Sequence, residues 1–339
     1  MESAPFIRYV IAGKLRRDFI LPLNGIPALD IPGGNLIYTA VGVRLWDQGI
    51  GLIGRVGEDY PRQWLEQFAE RGFDCRGIKI LPVALETRYF AAYPNGDEET
   101  SDAPLAHFSR LGLPFPKALL GYSLPTTPMD SRVQPTDWTI RAGDFPADYL
   151  DATAAHIAPI DYLTQALLPS LFRRGQITTL TMDPSEGSMN PTFRDDLPAM
   201  LRGVSAIICS ESKLRRLYEG LTDDLWEMAE QLSSFDCEIV VIKRGSQGQW
   251  VYSRANRQRW MVPAYPARVN DPTGAGDAFC GGFLAGLRQT YDPVEAVLWG
   301  NISASIVVEG SGPFYALDVL PGLPKMRLEK LREMVSRIG

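Results

Sequence analysis

The chain has 339 residues, of which 45% are hydrophobic and 22% charged, and its 34 basic and 40 acidic side chains leave a formal charge of −6. That composition excludes a disordered chain, a coiled coil and a collagen-like fibre, and a net negative protein has no general grip on nucleic acid. The longest uncharged stretches, residues 31–43 and 296–308, run for 13 residues, short of the ~20 that span a membrane. Residues 1–5 lack the basic-then-apolar build of a signal peptide, so the expected setting is cytoplasmic.

Along the chain, residues 6–12 read as a strand and 35–46 as a helix rich in small side chains. Residues 50–56 are again strand-like and 61–71 helical, with Gly72 placed to end that helix. Apolar strand candidates follow at 155–160, 177–182, 204–209 and 238–242. Each is followed by a helical pattern, at 162–173, 191–201, 213–218 and from Gly276 on. Apolar strands separated by helices predict an α/β fold with a mostly parallel sheet covered on both faces. No internal repeat or low-complexity tract divides the chain, and residues 1–339 read as one domain.

Two stretches break this rhythm. Residues 16–31 alternate apolar side chains around Pro22 and a turn candidate at Asn24-Gly25. Residues 87–93 have strand composition and run into Pro94-Asn95-Gly96-Asp97, a turn signal. They predict a small β flap over the sheet, with ordinary edge hairpins as the alternative. Residues 104–146 carry much Pro and Gly and little periodicity, and loops of that length are usually functional or mobile. Cys75, Cys209, Cys237 and Cys280 include no Cys-x-x-Cys pair, which favours reduced, buried thiols over disulfides or a zinc site. His156 lies in an apolar run and reads as a hydrogen-bonded structural histidine.

The segment Val269-Asn270-Asp271-Pro272-Thr273-Gly274-Ala275-Gly276-Asp277 is the most informative. Pro272 and Gly274 turn the chain, and a small-residue helix opens behind them. Gly274, Ala275 and Gly276 would present bare amides at a helix N-terminus, which suits a phosphate whose charge grows in a transition state. Asp277, in the first turn, reads either as a helix cap or as a carboxylate that takes a proton from an attacking hydroxyl. Gly49-Ile50-Gly51-Leu52-Ile53-Gly54 spells Gly-x-Gly-x-x-Gly inside a strand-like run, where a dinucleotide fingerprint has no helix to open. No P-loop motif is present.

Asp-Pro-Thr-Gly-Ala-Gly-Asp followed by Ala-Phe-Cys-Gly-Gly-Phe resembles the C-terminal signature of the PfkB carbohydrate kinase family, which has the ribokinase-like fold. Gly33-Gly34, a helix, and Gly51-Leu52-Ile53-Gly54-Arg55-Val56-Gly57-Glu58-Asp59 resemble its N-terminal signature. The resemblance implies a three-layer α/β fold with a small β lid, formed here by residues 14–33 and 85–112, which in several relatives also makes a homodimer interface. It implies ATP-dependent transfer of the γ-phosphate to a hydroxyl of a sugar or nucleoside, with Mg2+ and a monovalent cation such as K+ as cofactors. Asp277 would be the base, and Gly274, Ala275 and Gly276 the anion hole. Asp18, Gly33, Gly34 and Tyr38 would line the acceptor pocket. Gly245, Asn301 and Gly312 would lie near the nucleotide, and Asp271 near the monovalent cation.

The chain also departs from that pattern. Tyr38 stands where the family usually has Asn, which would bring a ring on which a nucleoside or bulky sugar could stack. Ser210-Glu211-Ser212-Lys213 aligns with an Asn-x-x-Glu motif that helps place magnesium. Lys213 then replaces a carboxylate by a cation, and Glu211 is the candidate to assist magnesium instead. A sugar- or nucleoside-binding sensor with weakened turnover is the non-enzymatic alternative.

Overall fold

Strand β1 (Tyr9–Ala12) alternates between two cores: Tyr9 and Ile11 pack into one, Val10 and Ala12 into the other. A strand buried on both faces belongs inside a sheet covered by helices on either side. The computed structural model describes residues 6–94, 98–123 and 130–338; Asn95, Gly96 and Asp97 of the turn signal lie outside the described residues. After β1 the chain leaves the main sheet for β2 (Arg16–Leu21) and β3 (Ala28–Gly33), which pair antiparallel. It returns through α1 (Asn35–Arg44) and β4 (Ile50–Gly57), the latter buried along its whole length. In α2 (Arg62–Glu70), Trp64 and Phe68 share one buried face, and Gly72 follows at φ +88°. Next come β5 (Phe73–Leu81), β6 (Arg88–Ala92), which runs parallel to β2, and α3 (Pro104–Arg110).

The second half alternates more regularly. It runs through β7 (Ala154–Ile157), α4 (Tyr162–Phe172), β8 (Thr179–Met182) and α5 (Leu197–Met200). It continues through β9 (Ala206–Ser210), α6 (Glu211–Leu217), α7 (Leu225–Ser233) and β10 (Ile239–Lys243). Asp161, Ser210 and Asp224 cap α4, α6 and α7 through side-chain oxygens. The hairpin β11 (Gln249–Ser253) and β12 (Gln258–Val262) precedes the long helices α8 (Ala275–Thr290) and α9 (Pro293–Val307). The chain closes with α10 (Leu323–Arg332) and β13 (Ser336–Ile338).

Among the described residues the main sheet has the order β13-β12-β11-β10-β9-β8-β7-β1-β4-β5. Neighbours from β10 to β5 are parallel, and the β13–β10 edge is antiparallel. Helices α1, α2, α8, α9 and α10 fill one core, and α4 to α7 the other. The expected mostly parallel, doubly covered sheet is therefore present.

Two details position the site. Helices α1 and α8 cross with their backbones in contact: a Cβ on Gly281 would lie 1.9 Å from the Thr39 carbonyl oxygen, and one on Gly42 2.1 Å from that of Ala278. The stretch at 104–146 divides its packing in two. Phe108 and Leu119 join Phe19, Leu21, Phe90 and Ala92 in a separate small core on one face of the β3-β2-β6 sheet. Farther on, Asp144 is tied to Arg55 of β4 by a buried ion pair of 2.7 Å, and Ile140 donates to the Thr164 hydroxyl at 2.9 Å.

Candidate functional site

The loop before α8 is pinned to the end of α9. The Val308 carbonyl accepts from the amides of Asn270 at 2.8 Å and Asp271 at 3.1 Å, and Asn270 Nδ2 donates to the Glu309 carbonyl at 2.6 Å. Gly274 then takes φ +76°, and a Cβ there would lie 2.2 Å from the ring of Tyr38. Both the backbone angle and the close ring require glycine. The Ala275 amide donates to the Pro272 carbonyl at 3.2 Å, and that of Ala278 to Gly274 at 2.9 Å. Of the residues expected to offer bare amides, Ala275 thus spends its own inside the turn. Those of Gly274, Gly276 and Asp277 have no backbone acceptor among the described residues.

Of the acids around this helix start, Asp18 and Asp271 are buried and Asp277 is half-buried. Burial pushes the Asp277 carboxyl up to about 6, with Lys243 as the strongest opposing charge. Asp18 on β2 is almost fully buried, and Gly33 has no Cβ because one would fall 1.8 Å from Asp18 Oδ2. Burial pushes Asp18 up to about 7; Arg16 and the Gly34 amide pull it down, while Asp271 and Glu99 add to the rise. Its Oδ1 has no hydrogen-bond partner. Asp271 Oδ1 accepts from the Thr273 amide at 3.0 Å, while its buried Oδ2 is also unpartnered. Burial raises this carboxyl as well.

The three-stranded lid sheet meets the loop directly. Asn24, in the β2–β3 turn, donates its amide to the Asn270 carbonyl at 3.0 Å and its Nδ2 to that of Val269 at 3.2 Å. Tyr93, just past β6, shares a 2.9 Å hydroxyl–hydroxyl bond with Thr273. A Cβ on Gly312, at φ +82°, would lie 3.1 Å from Ile31 of β3. Tyr38 is buried beneath Gly274, so its ring props the loop and is not an open stacking platform. Its hydroxyl is buried, unpartnered and influenced by Asp18, Asp271, Tyr93 and Asp277.

On the other side of Asp277 the ends of three adjacent strands meet, and two of the residues there, Asp183 and Lys243, were missed by local sequence reasoning. Asp183, after β8, is 2% exposed. It accepts from Lys213 of α6 at 2.7 Å through Oδ1 and from Lys243, the last residue of β10, at 2.6 Å through Oδ2. Lys243 also lies 3.3 Å from the Gly276 carbonyl. Glu211 pairs with Arg244 at 2.6 Å and Arg215 at 2.7 Å. Gly245 takes φ +56° with open space beside it. Asn301 is committed internally: Nδ2 donates to Gln249 Oε1 and the Pro263 carbonyl, both at 2.8 Å, and Oδ1 accepts from the Tyr265 amide at 2.9 Å. It holds the wall behind β11 and β12 and has no free amide group for a nucleotide.

These residues fit cations unequally. Among the described residues no group of three or more His, Cys, Asp and Glu is arranged around a metal, and Asp183 and Glu211 are already ion-paired. The orphaned Asp271 Oδ2 does fit a monovalent cation. His156 is fully buried, 2.8 Å from Thr181 Oγ1, and burial lowers it to about 3, as a structural histidine requires.

The family model described as pfkB family carbohydrate kinase matches residues 147–319. A cytidine kinase from Thermococcus kodakarensis is 26% identical over 306 residues, covering 89% of this chain and 96% of its own length. A 5-dehydro-2-deoxygluconokinase from Clostridium perfringens is 24% identical over 331 residues, covering 90% and 87%. The crystal structure of a fructokinase double mutant from Vibrio cholerae, bound to fructose, ADP and a potassium ion, superposes with a TM-score of 0.66. It is 19% identical and covers 97% of this chain and 99% of its own.

Proposed function

Because the chain belongs to the pfkB family of carbohydrate kinases, and so is an ATP-dependent phosphotransferase on a ribokinase-like fold, we propose that Asp277 is its catalytic base. The acceptor hydroxyl would stand between Asp277 and Asp18, under the lid. Its proton passes to an Asp277 carboxylate oxygen while its oxygen attacks the γ-phosphorus. The bond from that phosphorus to the β–γ bridging oxygen breaks, and ADP leaves with the electron pair. The free amides of Gly276 and Asp277 face the charge that develops on the transferred group. One observation carries this reading: the half-buried Asp277 carboxyl, pushed up to about 6, lies in the same helical turn as those amides.

The acceptor is a sugar or sugar-like hydroxyl compound, and Asp18 with its unpartnered Oδ1 is the hydroxyl ligand. Gly33 and Gly34 let Asp18 and the Lys14–Arg16 backbone pack against them, which would set Asp18 towards the acceptor. A nucleoside is the second reading, supported by the cytidine kinase relative that aligns over nearly its whole length. Gly245 and Gly312 border the nucleotide. Asp271 would hold a potassium-like ion, with Thr273 and Ser311 beside it. Magnesium, carried on the nucleotide phosphates, supplies charge neutralisation; Glu211, shared between two arginines, would act on it only after giving one up. A lid homodimer is confined to surfaces other than the face already filled by Phe108 and Leu119. Sedimentation velocity over a concentration series tests that part.

The test of function is ADP release from ATP with panels of sugars, sugar acids, polyols and nucleosides. Asp277→Asn keeps the shape and removes the proton acceptor, so kcat on the best acceptor should fall by ~10²–10⁴-fold with the melting temperature unchanged. Retention of more than about a tenth of wild-type kcat would overturn the assignment.

A further inference from the structure

Lys213 and Lys243 approach one carboxylate from two different elements. Asp183 offers one oxygen to each ammonium, at 2.7 and 2.6 Å. Counted alone, these three groups carry a net charge of +1, and the nearest further acid acting on Lys243 is Asp277 itself. Such a charge is costly to hold out of water unless a further anion answers it. Lys213 donates its second bond to the Pro184 carbonyl at 2.9 Å. Glu186, at 3.9 Å, is more than half exposed and screened by water. Lys243 is nearer the reaction centre. Its other neighbours are the Gly276 carbonyl at 3.3 Å and Cys280 Sγ at 3.6 Å, the first long for a hydrogen bond and the second a weak acceptor. Gly276 turns its bare Cα towards the ammonium: a Cβ there would lie 3.3 Å from Lys243 Nζ.

We propose that Lys243 is a catalytic residue that binds the transferred phosphoryl group opposite the α8 amides, and that Asp183 and Lys213 position it. The inference rests on the reading of Asp277 and the α8 start as the phosphoryl-transfer centre. Where the resemblance calls for a carboxylate that helps place a metal, this chain sets an ammonium, and its own side chains supply the positive charge at that wall. Asp183 keeps Lys243 from swinging away before the nucleotide arrives. Lys213 keeps Asp183 from cancelling all of the Lys243 charge. On binding, a non-bridging phosphoryl oxygen replaces the long contacts to Gly276 and Cys280, and no proton moves at this ammonium.

The charge of Lys243 is also felt by Asp277, which distinguishes a direct role from a structural one. Asp277 is faced by Lys243 from β10, Asp183 after β8, Arg16 from β2, Lys213 from α6, Tyr38 from α1 and Cys280 from α8. A base must be ionised to accept a proton, so kcat/KM should fall as pH drops through about 6. Removing the nearest cation makes ionisation harder, which moves that acidic limb to higher pH.

The experiment compares wild type, Asp277→Asn, Lys243→Met and Lys213→Met on the best acceptor. For Lys243→Met the expected result is a kcat loss of about 10²-fold and an upward shift of the limb by about one unit. Calorimetry should show weaker ATP binding with adenosine binding unchanged. Lys213→Met should show the same three changes at smaller size, and it carries the test if Lys243→Met fails to fold. Unchanged kcat and limb in both lysine variants, with Asp277→Asn inactive, would overturn the proposal and leave the base in place. A loss of kcat with the limb unmoved would overturn it too, since that is mere structural damage. An active Asp277→Asn would instead remove the reading beneath it.

Discussion

Tyr38 leaves a buried hydroxyl without a hydrogen-bond partner, a condition that costs about 1–3 kcal/mol. The fold has no need of that oxygen, because the ring alone fills the space under Gly274. Its neighbours by charge are Asp18 and Asp277, so an acceptor hydroxyl is the group that would satisfy it. Tyr38→Phe should therefore leave the melting temperature unchanged or higher, while the acceptor KM rises about 2–10-fold; an unchanged KM would reduce Tyr38 to a prop. The stacking role expected from sequence assumed an open ring face, and only the folded chain reveals that α8 covers it. What was legible at this scale was local. Gly274, Gly276 and Asp277 sit within four positions, so their spacing states their chemistry. Asp183 and Lys243 lie 60 residues apart, and Met-Asp-Pro or Ile-Lys-Arg read alone as ordinary strand ends.

Helices α1 and α8 carry opposite walls of the site, since α1 follows Gly34 and α8 begins at the free amides. Their backbone contact at Gly42 and Gly281 fixes the distance between those walls. A methyl group at 281 would strike the Thr39 carbonyl, and backbone cannot yield as a flexible side chain can. Gly281→Ala should cost about 1–3 kcal/mol, and kcat should fall although residue 281 is a full turn beyond Asp277. Thermal melting read beside steady-state kinetics checks both, and a stable variant with full activity would show that the spacing is slack. Elements with clear periodicity, such as α2 and the strands from β7 to β10, lie where their sequence predicts. Others were not visible there. Helix α9 is apolar on nearly every side because it is almost wholly buried, so it has no polar face to mark a period. Strand β5 mixes Asp74, Arg76 and Lys79 into an edge position. The hairpin β11–β12 spends its apolar residues on both faces, which hides the alternation.

The lid is held by a core of its own, apart from the two that sandwich the main sheet. Phe108 is its keystone: fully buried, it meets Phe115 edge-on at 5.5 Å and Phe90 at 6.0 Å. The stretch at 104–122, irregular by sequence, earns its place by covering the β2–β6 face. Composition could not show this, because a few spaced aromatics among Pro and Gly carry no period. Phe108→Ala removes packing worth about 3–5 kcal/mol, and the loss falls on the lid while the main cores keep their contacts. A small unit that loses that much opens locally before the molecule unfolds. Amides of β6 should therefore exchange with solvent far faster, while the melting temperature of the main body shifts little. Asp18 rides on β2, the central lid strand, so acceptor KM should rise, whereas Lys243 and the α8 amides stand on the main body and ATP KM should hold. Hydrogen exchange with mass spectrometry and two-substrate kinetics read these effects separately. Equal losses towards ATP and acceptor, or β6 exchange no faster than in wild type, would mean that the lid does not move as a unit.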